Sequence, residues 1–176
     1  MPELDFHPLI RITRAHFVMK DEDSPHGLGH WGRVLENGMK LAPLTGADEV
    51  VVALFAIFHD CKREDDSRDH FHGPRAAKFV YEIAPYHLGF LDWKQINTLA
   101  KACHGHTNCR NSIDPTIGTC WDADRLDIPR IGTEENPYPV DPYYLSTDAA
   151  KTTEIREWSH ERASQVQVPN FVISYL

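Results

Sequence analysis

No run of apolar residues approaches the roughly 20 needed to cross a bilayer, and no cluster of lysines and arginines appears anywhere in the chain. The first absence argues against a membrane partner. The second, with 18 Lys and Arg against 26 Asp and Glu and a net charge of -8, argues against a nucleic-acid polymer, because phosphate backbones demand a basic face. A local cationic pocket for one small phosphate stays compatible with that balance. Cysteine is scarce: Cys61, Cys103, Cys109 and Cys120 form no small-secreted-domain framework and are expected to be reduced thiols of a cytoplasmic protein. Cys103, His104, His106 and Cys109 lie close together, but their spacing matches no standard zinc pattern. Met1 to Ile10 carries Glu3 and Asp5 and lacks the basic and apolar regions of a secretory signal. Repeats, low-complexity tracts, linkers and hairpin signals are also missing. What remains is the expectation of one domain over residues 1–176, all-α, built as a helical bundle.

Histidine, in contrast, is abundant. There are 11, many beside acids or glycine, and histidine is the commonest metal ligand. Helical spacing of apolar residues predicts a first helix from about Pro8 to Met19 and a second from about Gly27 to Leu41. A third opens after Thr45-Gly46-Ala47-Asp48. Its residues Val50, Val51, Val52, Leu54, Phe55, Ile57 and Phe58 are apolar almost all round, so it should be central and buried. Lys62 to Phe71 reads as a loop, and Pro74 suits the first turn of the next helix. Further helices are predicted from Asp92 to Cys103, from Asp114 to about Ile131, and from Thr147 to Ser164, the last polar and solvent-facing. Asn136 to Tyr144 reads as a loop, and Val166 to Leu176 as an extended tail docked on the body.

His59-Asp60 sits at the C-terminal end of the buried helix. That is a costly place for two ionisable side chains unless they are paired or coordinated. A divalent metal satisfies both. His30 lies on the preceding helix and Asp124 on a later one, which is how metal sites in bundles are built, from facing helices. Two histidines with two carboxylates suit manganese, iron, cobalt, nickel or zinc, and magnesium less well.

The order His30, His59-Asp60, and an aspartate in Ala123-Asp124-Arg125-Leu126 resembles the HD superfamily of metal-dependent phosphohydrolases. The segments Gly29 to Val34 (GHWGRV) and Cys120 to Ile128 (CWDADRLDI) resemble the helices that bear its first and last ligands. The segment His72 to Ala77 (HGPRAA) resembles one found in small, mostly uncharacterised bacterial members. The resemblance covers about Gly27 to Gly132. It implies a bundle with a metal at its centre, ligated by His30, His59, Asp60 and Asp124, and hydrolysis of a phosphate ester, commonly of a nucleotide. Asp124 is preferred to Asp122 because the family ligand precedes a basic residue and leucine. Two helix positions also differ by about 200° of rotation. Asp127, three residues on, shares the Asp124 face as a supporting group, and Asp122 is expected in an ion pair.

Members with two metals carry extra histidines. His72, His104 and His106 are candidates, but His72 follows His59 by only 13 residues, so one metal is favoured and a second is kept as an alternative. Catalytic roles are assigned to Asp60, Glu64, Asp65 and His72, with Asp66 and Asp69 as further acids of the same loop. Arg75, Arg63 and Lys62 are the expected phosphate-binding cations, followed by Arg33. Arg125 is expected to pair with an acid. Two alternatives to the phosphohydrolase stay open: a di-iron oxygenase of the HD kind, and a non-catalytic, metal-stabilised regulatory module. A homo-oligomer is compatible with every reading.

Overall fold

The structure, a computed structural model, describes residues 6–19, 24–131 and 138–163. In chain order the helices are α1 (His7–His16), α2 (Leu28–Thr45), α3 (Glu49–Phe58), α4 (His72–His87), α5 (Trp93–Gly105), α6 (Pro115–Arg125), α7 (Asp148–Lys151) and α8 (Thr153–Ala163), with 3₁₀ turns at Ile128–Arg130 and Pro142–Tyr144. No strand occurs among the described residues, and no described helix is long and apolar enough to cross a membrane.

Local chemistry explains the starts of α3, α5 and α6. Asp48 accepts hydrogen bonds from the backbone N–H groups of Val50 and Val51, and Asp114 caps α6 in the same way ahead of Pro115. At α5, Asp92 and Gln95 form a reciprocal capping box. The Gln95 amide also donates to Asp48 across 2.8 Å, joining the starts of α3 and α5. Val51 to Phe58 are all buried, so α3 is the axis of the bundle. It packs against α1, α2, α5 and α6. Each fully buried large apolar side chain on it contributes about 1.5–3 kcal/mol. Gly38 lets α2 lie close to α3, since a Cβ there would stand 2.4 Å from Val52 Cγ1.

Two predicted elements differ. The helix beginning at Asp114 stops at Arg125, because Pro129 cannot continue an α-helical ladder, and Ile128–Arg130 turns as 3₁₀. The last predicted helix is two, α7 and α8. It is not simply solvent-facing: Ala150, Ile155, Ser159 and Ala163 are buried. With Leu41, Leu126 and Leu145, Ala150 and Ile155 form a second apolar cluster that seats the C-terminal helices on the body. Ser164 and the tail from Val166 to Leu176 lie outside the described residues.

Candidate metal centre

Five helices bring their ends or faces to one buried point. His30 projects from α2, and His59 and Asp60 follow directly on α3. His72 opens α4, His106 closes α5 and Asp124 lies near the end of α6. All are buried except Asp124, whose side chain is 20% exposed and marks the side open to solvent.

Two ligand sets share one carboxylate. In the first, His30 Nε2 and His59 Nε2 are 3.0 Å apart. Asp60 Oδ2 stands 3.7 Å from each, and Asp124 Oδ1 is 3.3 and 3.8 Å from the same two nitrogens. In the second, His72 Nε2 and His106 Nε2 are 2.7 Å apart, and Asp60 Oδ1 lies 3.2 and 3.7 Å from them. Ligand atoms of His30–His59–Asp124 fall within 4.8 Å of one another, as do those of Asp60–His72–His106. A third such group, His26–His30–Asp60, overlaps the first set.

The tautomers show what the sets lack. A carbonyl or an ionised carboxylate can only accept, so a ring nitrogen facing one must carry the proton. His59 Nδ1 faces the Phe55 and Ala56 carbonyls at 3.1 Å. His72 Nδ1 faces the Asp69 carbonyl at 2.5 Å, and His106 Nδ1 that of Cys103 at 2.7 Å. His30 Nδ1 faces Asp127 Oδ2 at 2.8 Å. In each neutral ring Nε2 is therefore a lone pair, and the lone pairs point at each other in two couples. Asp60 Oδ1 between them is buried without a hydrogen-bond partner. Neutral nitrogens and carboxylate oxygens converging without enough protons between them are the donor set of a divalent cation. The residues present fit such an ion at His30–His59–Asp60–Asp124, and a second at Asp60–His72–His106.

Electrostatics agree. Burial pushes the His59 imidazole down to about 3 despite Asp60 and Asp124 nearby, so it is neutral and ready to ligate. Burial lowers His72 as well. Asp60 is held well below the ordinary carboxylate range: burial opposes ionisation, but His59, His106 and His26 outweigh it. Asp124 is lowered too, by His30 and His59 acting against burial. His106 runs the other way. Burial would lower it, but Asp60 and Asp124 raise it above 6.5.

The expectation of a single metal placed His72 too near His59 in sequence to join it. The loop between them is wound tightly enough. Arg63 donates to the Asp65 and Ser67 carbonyls at 3.0 and 2.7 Å. Asp69 accepts from the Glu64 and Phe71 backbone at 2.9 and 3.2 Å. Gly73 then allows the first turn of α4 to meet the end of α5, where a Cβ would stand 2.6 Å from the Cys103 carbonyl. His106 is thereby seated beside His72, while His104 is exposed.

The other expected residues divide. Arg63 reaches the centre: it is buried, its Nη1 3.3 Å from His72 Nδ1 and 3.7 Å from Asp60 Oδ1. Arg75 donates to the Lys62 carbonyl at 3.0 Å and pairs with Asp69, so its guanidinium orders the loop. Glu64 and Asp65 are exposed and belong to none of the ligand groups; Asp65 holds Ser67. Asp66 accepts from the Ser24 hydroxyl at 2.5 Å. Asp127 carries out the supporting role at His30 and also receives Arg33 Nε at 2.8 Å, so Arg33 is an internal partner. Asp122 is in no ion pair among the described residues. Fully buried, it accepts from Ser146 N, Thr147 N and Thr147 Oγ1 at 2.6–2.8 Å, and burial raises its pKa. Among the described residues Arg125 pairs with no acid either; it donates to the Tyr144 and Cys109 carbonyls.

Sequence reasoning missed His26, Thr107 and Arg130. His26 Nδ1 is 3.0 Å from Asp60 Oδ2 and 3.3 Å from Arg130 Nη2, and the Thr107 hydroxyl is 2.9 Å from His72 Nε2. The four-residue step from His26 to His30 was the available signal for the first. Nothing local marks the other two.

Comparison with protein-family models and with curated proteins returns no match. Comparison with solved structures matches a crystal structure described as a predicted HD superfamily hydrolase, from an uncultured Thermotogales bacterium. The TM-score is 0.63 at 24% identity, over 96% of this chain and 92% of that one. The chain has the HD-domain fold.

Proposed function

We propose that the protein is a metal-dependent phosphohydrolase of the cytoplasm, cleaving the phosphate ester of a nucleotide or another small phosphorylated metabolite. The observation that carries this reading is the buried Arg63 guanidinium set against Asp60 and His72, beside two converging ligand sets. A fixed cation next to a metal-ligand cluster suits an anionic substrate. The ions, drawn from manganese, iron, cobalt, nickel or zinc, would be held by His30, His59, Asp60 and Asp124 and by Asp60, His72 and His106. When bound they supply Lewis acidity toward a phosphoryl oxygen and a bound water of lowered pKa. The chain's own residues do the rest. Arg63 faces the substrate's phosphoryl oxygens, and Asp127 orients His30. The Thr107 hydroxyl, exposed beside His72, can hydrogen-bond an oxygen at the entrance.

The second ligand set also supports another reading, a di-iron oxygenase, because it supplies the second position that such an enzyme needs. One experiment separates them. Purified protein loaded in turn with each metal is screened for phosphate release from nucleotides and sugar phosphates, and for oxygen consumption with iron. Metal-dependent phosphate release that disappears in Asp124→Asn supports the hydrolase. Oxygen consumption without phosphate release overturns it in favour of the oxygenase. Neither activity, with metal bound, leaves a regulatory module.

A further inference from the structure

A cavity of about 250 Å³ lies away from the ligand sets, between the end of α1, the start of the loop after Asp60 and the outer face of α4. It is lined by His16, Val18, Lys62, Arg63, Glu64, Arg75, Lys78 and Glu82. Four cations against two acids is unusual in a chain of net charge -8. Arg75, Lys78 and Glu82 fall on one face of α4 because they are three and four residues apart. Two of the lining residues pack on the buried Phe79, with the Lys62 ammonium 4.5 Å above its ring and the His16 imidazole 4.5 Å from its centroid. We propose that this cavity binds a phosphate group, either free or carried by an ester, at a site separate from the metal centre.

Three features support it. Lys62 has no carboxylate within ion-pair distance among the described residues, and its ammonium is held over Phe79 rather than neutralised. Arg75, another lining residue, is fixed by Nε on the Lys62 carbonyl and Nη2 on Asp69, and its Nη1 has no hydrogen-bond partner among the described residues. The two acids are themselves exposed and sit in loose pairs, Lys78–Glu82 at 3.4 Å and Arg75–Glu64 at 3.5 Å. Such pairs are weak and give way to a better-matched anion. The volume is below the roughly 300–1,000 Å³ of drug-sized ligand pockets, which limits the occupant to one small anionic group. Arg63 separates the two sites. It lines the cavity, but its Nε and Nη2 are committed to the Asp65 and Ser67 carbonyls and its Nη1 faces Asp60 and His72.

The proposal does not rest on the centre being a hydrolase, because its test needs no turnover. Binding of orthophosphate and of ribose 5-phosphate to the full chain is followed calorimetrically, after chelation and again with Mn²⁺ loaded. One saturable site is expected in the chelated protein, weakened roughly tenfold by Lys62→Gln and again by Lys78→Gln, and unchanged in Asp124→Asn. Circular dichroism of each variant checks folding. Lys78 is exposed, so its variant stays informative if Lys62→Gln disturbs the loop. Tighter binding of ribose 5-phosphate identifies an ester as the occupant, and equal binding identifies the free anion. Binding that survives the double lysine variant, or that Asp124→Asn removes, overturns the proposal, as does the absence of binding in the chelated protein.

Discussion

Asp60→Asn should empty both metal positions at once. Asp60 presents Oδ2 to His30 and His59, 3.7 Å from each, and Oδ1 to His72 and His106 at 3.2 and 3.7 Å. Asparagine keeps the shape but replaces one oxygen with an NH₂, which cannot ligate, and removes the charge that both positions use. Losing a group that only supports a ligand typically costs about 10–100-fold in metal affinity, so losing the shared ligand should cost more than about 100-fold at each position. A metal present at 100 times its Kd stabilises the native state by about 2.7 kcal/mol. In a chain of this length each kcal/mol is worth about 2–4 °C in Tm, so the wild type should gain about 5–11 °C per filled position. Asp60→Asn should gain about 1 °C or less under the same conditions. Without metal the comparison changes. Against the cost of burial, His59, His106 and His26 hold the Asp60 carboxylate well below the ordinary range, so its charge stabilises the fold at neutral pH and removing it should lower Tm. Paired melts with and without Mn²⁺, together with elemental analysis, measure both effects. Two metal equivalents retained in Asp60→Asn, or a metal-dependent shift equal to wild type, would refute the shared-carboxylate assignment.

His106→Gln should reduce metal content from two equivalents to one, while His104→Gln, at an exposed position, should leave it at two; elemental analysis decides. Proton competition should distinguish the positions. His106 is raised above 6.5 by Asp60 and Asp124, so Mn²⁺ affinity at its position should fall about tenfold per pH unit below its pKa. His59, at about 3, takes up no proton across about pH 5 to 8 and adds no competition there; a tenfold slope per pH unit that survives in His106→Gln would contradict its assignment to His106. Asp122→Asn should keep the metal but lower stability by about 1.5–3 kcal/mol, since a charged acceptor of three hydrogen bonds is lost, whereas Asp124→Asn should lose metal and turnover. Asp127→Asn should weaken the His30–His59 position by about 10–100-fold and spare the His72–His106 one; equal losses at both would show that Asp127 acts only through stability.

The parts of this centre that could be read from sequence are those marked by local cost. An ionisable pair at the end of an apolar helix stands out, so His59-Asp60 draws attention, and His30 and Asp124 follow from their places on flanking helices. The helices themselves show in capping residues such as Asp48, Asp92 and Asp114. The second ligand set carries no such mark. His72 and His106 are 34 residues apart, and they meet only because Gly73 lets two helices touch and because the loop after Asp60 is wound on Arg63 and Asp69. That loop has no hydrophobic period, so its path is set by side-chain-to-backbone bonds that spacing does not reveal. The same holds for Asp122 and Arg125. Charge alone suggested ion pairs, but both are spent on backbone groups of loops that a helix end leaves exposed.

How the imidazoles are held explains why the two positions need not behave alike. His59, His72 and His106 each donate Nδ1 to a carbonyl three or four residues earlier in the chain. Their tautomers and ring planes are therefore set locally and persist as long as the helix end does. His30 is different, because its Nδ1 depends on the Asp127 side chain 97 residues away. Asp127 is in turn held by Arg33 at 2.8 Å and Arg130 at 3.5 Å, with Arg162 of α8 at 4.0 Å. Arg162 also donates to Glu36 and Asn37 at 2.9 and 2.6 Å on α2, the helix that bears His30. The His72–His106 position is thus built from short-range geometry around one loop. The His30–His59 position draws on α2, the 3₁₀ turn after α6 and the C-terminal helix together. Disturbing α8 should reach the metal through that carboxylate and leave the other position largely intact.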